Sequence, residues 1–123
     1  MKIGFAGLGQ MGRPIAHNLL KGGDELVVID RTDASFAEFQ SQGAAASTDP
    51  QALASSEIVF LCLPNDKVVG SFLFGDDGLV AHLAQGRTIV DLSTITYGAT
   101  KEIAGKLGER GIRAFGGAVS LGV

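Results

Sequence analysis

Apolar residues fall along this chain in two alternating rhythms. Short, nearly unbroken apolar runs occur at Ile3 to Ala6, Glu25 to Asp30 (ELVVID), Ile58 to Leu63, Arg87 to Leu92 and Ile112 to Phe115. Such runs suit strands buried on both faces. Between them apolar positions recur at helical spacing: Met11, Ile15 and Leu19; Phe36 and Phe39 with Gln40; Val68, Val69, Phe72 and Leu73; Ala99, Ile103, Ala104 and Leu107. Punctuating residues set the predicted bounds. Pro14 sits in a first helical turn, where its missing N–H is tolerated. Thr32 or Asp33 caps a helix running to Gln42 and ended by Gly43, and a short strand covers Ala44 to Ala46. Asp49 and Pro50 read as N-cap and N1 of a small helix to Ala54, and Pro64 stops the strand before it. Asn65 or Asp66 caps the next helix, Leu79 to Leu83 forms a short one, and Thr96 caps a long one to Arg110 that Gly111 ends. Gly98, Gly105 and Gly108 weaken that last helix, so packing must hold it. Six strands alternating with helices predict an α/β, doubly wound, mainly parallel sheet with helices on both faces, ordered 3-2-1-4-5-6.

The first strand runs into Gly7-x-Gly9-x-x-Gly12 and then a helix. Eighteen of 123 residues are glycine, about twice the usual 7%, so the string alone is weak and its strand-to-helix setting decides. In a dinucleotide loop Gly7 makes the tight turn, Gly9 lets backbone approach a pyrophosphate, and Gly12 lets helix pack on strand. The unpaired N–H groups of the first turn then receive the anion. Asp30 ends the second strand about 20 residues on, where an acid meets the adenosine ribose. It favours NAD, whereas Arg31 and Thr32 offer a fork donor and a hydroxyl that suit the extra phosphate of NADP. A third reading leaves Arg31 over the adenine or in water. NAD or NADP is therefore the expected cofactor. It should pass over Leu63, Pro64 and Asn65, with Ser93 and Thr94 facing it from the fifth strand.

Charge and size narrow the partners. The net charge of −3 comes without a basic cluster, so no nucleic acid or anionic membrane partner is expected. The longest apolar run, Ile58 to Leu63, falls far short of the roughly 20 residues of a membrane helix, and no signal-peptide pattern opens the chain, which predicts a cytoplasmic protein. The single cysteine, Cys62, excludes an internal disulfide and reads as a small buried hydrophobe within a strand. Asp76 and Asp77 read as solvated turn residues rather than metal ligands, and His17 and His82 as structural or solvated residues without an obvious partner.

Taken together, GLGQMGRPIAHNL, DRT, FLCLPND, LFGDDGL, DLSTIT and AVS, in that order, resemble the N-terminal Rossmann domain of the β-hydroxyacid dehydrogenases. That family includes 3-hydroxyisobutyrate dehydrogenase and 6-phosphogluconate dehydrogenase. The resemblance implies that Gly7, Leu8, Gly9, Gln10, Met11 and Gly12 wrap the pyrophosphate, and that Asp30, Arg31 and Thr32 meet the ribose. It also implies that Leu63 and Pro64 lie along the cofactor, that Thr94 approaches the nicotinamide, and that Ser120 binds substrate. Gly116, Gly117 and Ala118 stand where the family has Asp-Ala-Pro, Leu121 replaces a glycine and Tyr97 a frequent proline; these departures bear on substrate, not cofactor. The family's second, helical domain carries a catalytic lysine and a nearby asparagine, and neither Lys101 nor Lys106 matches that lysine, so no catalytic residue is named. The expected function is cofactor binding for hydride transfer to or from a small β-hydroxyacid or semialdehyde, with turnover only in a full-length protein. A second reading is a non-catalytic nucleotide-binding or interaction module, pairing into a homodimer through the exposed sixth strand. An S-adenosylmethionine methyltransferase, which shares the loop and the acid, fits the LCLP and DLST positions less well.

Overall fold

The short strand at the head of the chain, β1 (Lys2–Ala6), lies inside a parallel sheet. The computed structural model describes residues 1–93 and 95–116. In it β2 (Glu25–Ile29) and β3 (Ala45–Ser47) extend the sheet on one side, and β4 (Ile58–Leu61), β5 (Thr88–Asp91) and β6 (Arg113–Gly116) on the other, in the order β3-β2-β1-β4-β5-β6. The alternation of side chains assigns each strand residue to one of two cores. Ile3, Phe5, Leu26 and Val28 pack with Ala16 of α1 (Gly12–Lys21) and with Phe36 and Phe39 of α2 (Phe36–Gln40). Ala6, Ile29, Val59, Leu61 and Ile89 pack with Val69 and Leu73 of α3 (Asp66–Phe74) and Leu107 of α4 (Tyr97–Glu109). Crossovers between parallel strands are right-handed, so the halves wound outward from β1 and β4 carry their helices on opposite faces. The carboxyl ends of β1 and β4, where the winding reverses, become a crevice.

Capping follows the local chemistry. Asp49 accepts from Gln51 N–H at 3.0 Å, Asn65 from Val68 N–H at 3.0 Å and Thr96 from Ala99 N–H at 3.2 Å. Gly43 ends α2 in the left-handed region at φ 96°, with Ala44 N–H reaching back to Phe39 C=O at 3.1 Å.

Several expected bounds are revised. α2 starts at Phe36 after an uncapped Ser35, not at Thr32 or Asp33, and Gln40 is exposed. A helix closed that early has room for one apolar face of two phenylalanines. The expected helix over Leu79 to Leu83 is one 3₁₀ turn, Leu79–Ala81. Strands end where their neighbours end, so β4 stops at Leu61 and β5 at Asp91. Met11 precedes α1 and is exposed rather than on its core face, because the helix begins at Gly12. On α4 only Leu107 is buried, and Ala104 is exposed, because β6 is the outer strand there and offers no further surface to cover it. No helix among the described residues is long and apolar enough to cross a membrane.

Candidate functional site

Steric demand separates the three glycines of the loop. A Cβ on Gly7, whose φ is 101°, would stand 2.1 Å from Cys62 O, and one on Gly12 would stand 2.0 Å from Gly7 O. A Cβ on Gly9 would meet nothing within 4 Å. Gly7 and Gly12 are thus required by the fold itself, whereas nothing inside the protein requires Gly9. The first intrahelical bond of α1 runs from Arg13 N–H to Gly9 C=O at 3.0 Å. The N–H groups of Gly9, Gln10, Met11 and Gly12 ahead of it have no helix partner and sit at the positive end of the helix dipole. Leu8 turns its side chain into the core.

Asp30 is fixed by the backbone. Oδ2 accepts from Leu8 N–H at 3.2 Å and Oδ1 from Arg31 N–H at 2.7 Å. Two N–H donors hold the carboxylate at the β2 end of the crevice, with lone pairs left for a further donor. Arg31 is exposed and forms no ion pair among the described residues; Thr32 is exposed and lies outside the crevice lining.

Two contiguous clefts make up the crevice. One of about 410 Å³ is lined by the loop from Gly7 to Gly12, by Asp30 and Arg31, and at its far end by Leu63, Pro64, Leu92 and Ser93. The other, of about 310 Å³, shares Gly7, Asp30, Arg31, Leu63 and Val68 and adds Thr48, Pro50, Ser71 and Phe72. The structure therefore brings together Gly7, Leu8, Gly9, Gln10, Met11, Gly12, Asp30, Arg31, Leu63 and Pro64, and sets Thr32 aside. Thr94 and Ser120 lie outside the described residues. Thr48 and Ser71 carry no sequence signal of their own. Val68 and Phe72 read as core residues, but α3 has two apolar stripes: Val69 and Leu73 are buried, while Val68 and Phe72 are half-buried at the cleft.

Ser93 does not face the crevice freely. It is buried, its Oγ accepts from Leu63 N–H at 2.7 Å, and its own N–H donates to Asp91 Oδ1 at 2.9 Å. Burial pushes the Asp91 carboxyl above the ordinary range, the bonds from Ser93 oppose this, and the charge of Asp66 adds to it. Cys62 stands just past β4, half-buried against the loop, instead of within the strand. Burial and then the charge of Asp91 push its thiol up, which keeps it protonated and unreactive. Both histidines have partners, contrary to expectation. His17 stacks on Phe39 at 4.2 Å between Glu38 (2.8 Å) and Gln42 (3.1 Å), and His82 meets Asp77 at 2.8 Å. These contacts depend on residues brought in by α2 and by the turn before Leu79. Among the described residues no three His, Cys, Asp or Glu side chains are grouped to hold a metal.

The family model described as the NAD binding domain of 6-phosphogluconate dehydrogenase matches residues 2–123. The chain is 39% identical over 113 residues to 2-(hydroxymethyl)glutarate dehydrogenase of Eubacterium barkeri, covering 91% of the chain and 38% of that protein. It is 36% identical over 122 residues to 3-hydroxyisobutyrate dehydrogenase of Pseudomonas aeruginosa, covering 98% of the chain and 41% of that protein. Among solved structures, Psf3 in complex with NADP+ and 2-OPP superposes with a TM-score of 0.85 at 31% identity, covering 91% of this chain and 40% of that one. The chain thus spans about two fifths of the length of the curated relatives it matches.

Proposed function

The chain belongs to the β-hydroxyacid dehydrogenase family through its NAD-binding domain, and on that premise we propose that it binds NAD or NADP along the crevice for a protein that transfers hydride to or from a small β-hydroxyacid or semialdehyde. The observation that carries this is the open approach at Gly9. A loop whose other two glycines are sterically required leaves one position bare, in front of unpaired N–H groups and a helix N-terminus, as a pyrophosphate needs. Residues Gly7, Leu8, Gly9, Gln10, Met11 and Gly12 wrap the pyrophosphate, and Asp30 and Arg31 meet the adenosine ribose. Leu63 and Pro64 run beside the cofactor toward the nicotinamide. The cofactor supplies the hydride; this chain's part is to hold and orient it. The resemblance to the family implies that the acid/base group comes from its helical domain; the titratable groups that line the described crevice here are Asp30, Arg31 and Cys62. The isolated chain accordingly binds cofactor without turning over small hydroxyacids, and the family's substrate enters only in the full-length protein.

Titration with NADH and NADPH, followed by fluorescence and thermal unfolding, tests this. A cofactor at about 100 times its Kd stabilises the fold by roughly 2.7 kcal/mol. NADH is expected to bind more tightly than NADPH, because a carboxylate fixed by two N–H groups repels a 2′-phosphate. Asp30→Asn should narrow that preference by about tenfold, since Arg31 then meets the phosphate unopposed. No melting shift with either cofactor would overturn the proposal, and a preference for NADPH would transfer control of the ribose site to Arg31.

A further inference from the structure

β4 and β5 pair at a constant offset of 30 residues, from Ile58 with Thr88 to Leu61 with Asp91. The last backbone bond between them runs from Leu92 N–H to Leu61 C=O at 2.7 Å. Beyond it the same offset continues through side chains. Ser93 Oγ accepts from Leu63 N–H at 2.7 Å, across 30 residues. Asp66 takes the Thr96 N–H on Oδ1 at 3.0 Å and the Thr96 hydroxyl on Oδ2 at 2.8 Å, again across 30 residues. Where a regular parallel ladder would supply carbonyls, a hydroxyl and a carboxylate now accept. The loops into α3 and α4 therefore leave the sheet in step.

Thr96 is itself the N-cap of α4, but Asp66 takes no part in capping its own helix. Asn65, not Asp66, caps α3, so the Asp66 carboxylate is left to serve the neighbouring loop. Ser93 is 4% exposed and is itself held by Asp91 Oδ1, so its acceptor is aimed at Leu63 by a second bond. The segment so tied forms one wall of the crevice. Cys62 O and Leu63 Cδ2 are the atoms that a side chain on Gly7 would strike, at 2.1 and 3.2 Å, and Leu63, Pro64, Leu92 and Ser93 close the end of the cleft away from Asp30. With the ribose at Asp30 and the pyrophosphate on α1, the remaining half of a dinucleotide runs over this end.

We infer that Ser93, Asp66 and Thr96 are positioning residues that fasten the β4–α3 loop to the chain at Ser93 and at Thr96, making one ledge for the nicotinamide end of the cofactor. The inference rests on the cofactor reading above. A ledge of this kind acts on one end of the ligand only, which separates it from a general contribution to folding.

The test compares NADH with ADP-ribose, which keeps the adenosine, both phosphates and the second ribose and lacks only the nicotinamide ring that the ledge carries. Ser93→Ala and Asp66→Ala are each expected to weaken NADH about fivefold, the equivalent of one net hydrogen bond, while ADP-ribose stays within about twofold. Thr96→Ser, which keeps the hydroxyl, should bind as the parent does. An equal loss for both ligands, or no loss for either, overturns the inference. Ser93→Ala leaves the Leu63 N–H without its acceptor; if that variant does not melt cooperatively, Asp66→Ala, whose bonds to Thr96 lie on the exposed side, decides alone. Amide exchange reads the link without ligand. Leu63 and Thr96 N–H should be protected in the parent, with Leu63 released in Ser93→Ala and Thr96 in Asp66→Ala, and rapid exchange of both in the parent would overturn the link itself. A parent chain that binds neither ligand overturns the cofactor reading and the ledge's role with it, and protected amides then show that the link was still present.

Discussion

Gly7, Gly9 and Gly12 look alike in a motif and differ in what they do. Alanine at Gly12 would push a methyl to 2.0 Å from the Gly7 carbonyl oxygen, backbone that cannot step aside. Gly12→Ala should therefore destabilise the fold by about 1–3 kcal/mol, read by urea unfolding. Gly9→Ala has open space around its new Cβ. Its stability should stay within about 0.5 kcal/mol of the parent, because it touches nothing. The same methyl would stand where backbone is needed against a pyrophosphate, so NADH affinity should fall at least about tenfold. A Gly9→Ala variant that kept parental affinity would remove the pyrophosphate from this loop. Asp30 belongs to the same scale: its two bonds to N–H groups make it part of the loop's architecture as well as a contact for the ribose.

Among the helices, α3 and α4 show how an element divides its faces. α3 buries Val69 and Leu73 and presents Val68 and Phe72 to the cleft, so a helix that reads as amphipathic is apolar on a second side for the ligand's sake. α4 is poorly anchored by comparison, with Leu107 as its buried residue and glycines at 98, 105 and 108 that have open space around them. Each of those glycines carries backbone entropy without a packing reason. Gly105→Ala should stabilise the protein by up to about 1 kcal/mol and raise its melting temperature by a few degrees, with cofactor binding unchanged. A loss of stability would mean that α4 meets a surface at that position.

At the scale of the whole molecule, Asp91 is the buried charged side chain among the described residues, and the sheet holds it. Asp91 ends β5 between Leu61 of β4 and Gly116 of β6, with Oδ2 buried and unpaired. Its raised pKa makes the folded protein bind more protons than the unfolded chain in the range between the ordinary value of 3.8 and the raised one. The stabilisation from the neutral carboxyl is complete below that range and is lost as pH rises through it. Asp91→Asn removes this titration. Urea unfolding as a function of pH should show the stability difference moving in favour of the variant as pH rises above about 4 and levelling off once the folded-state carboxyl has ionised, whatever constant offset the substitution adds. A flat difference would mean that Asp91 is ionised throughout. The exposed side of the sheet has its own signature: Phe60, Val90 and Phe115 stand side by side in register across β4, β5 and β6, and Phe115 is 60% exposed. Among the described residues, this end of the α1 face is where a further domain or a second copy would find apolar surface.

Order and alternation were legible in the chain because they rest on short-range physics. Strand and helix periods, the caps at Asp49, Asn65 and Thr96, and the helix stops at Gly43 and Gly111 each depend on residues within about four positions, and right-handed crossovers convert that string into the order 3-2-1-4-5-6. The glycine loop and its distant acid were legible for the same reason, as a strand, a turn and a helix in succession. Distances between separate elements were not. That Leu8 N–H holds Asp30, that Val68 and Phe72 line a cleft while Val69 and Leu73 fill a core, that Glu38 and Gln42 flank His17, and that Ser93 and Asp66 prolong the β4–β5 register past the sheet are facts of packing. A hydrogen bond across 22 or 30 residues has no period in the chain; it exists only once the strands have been laid side by side and twisted, and that step belongs to the tertiary structure.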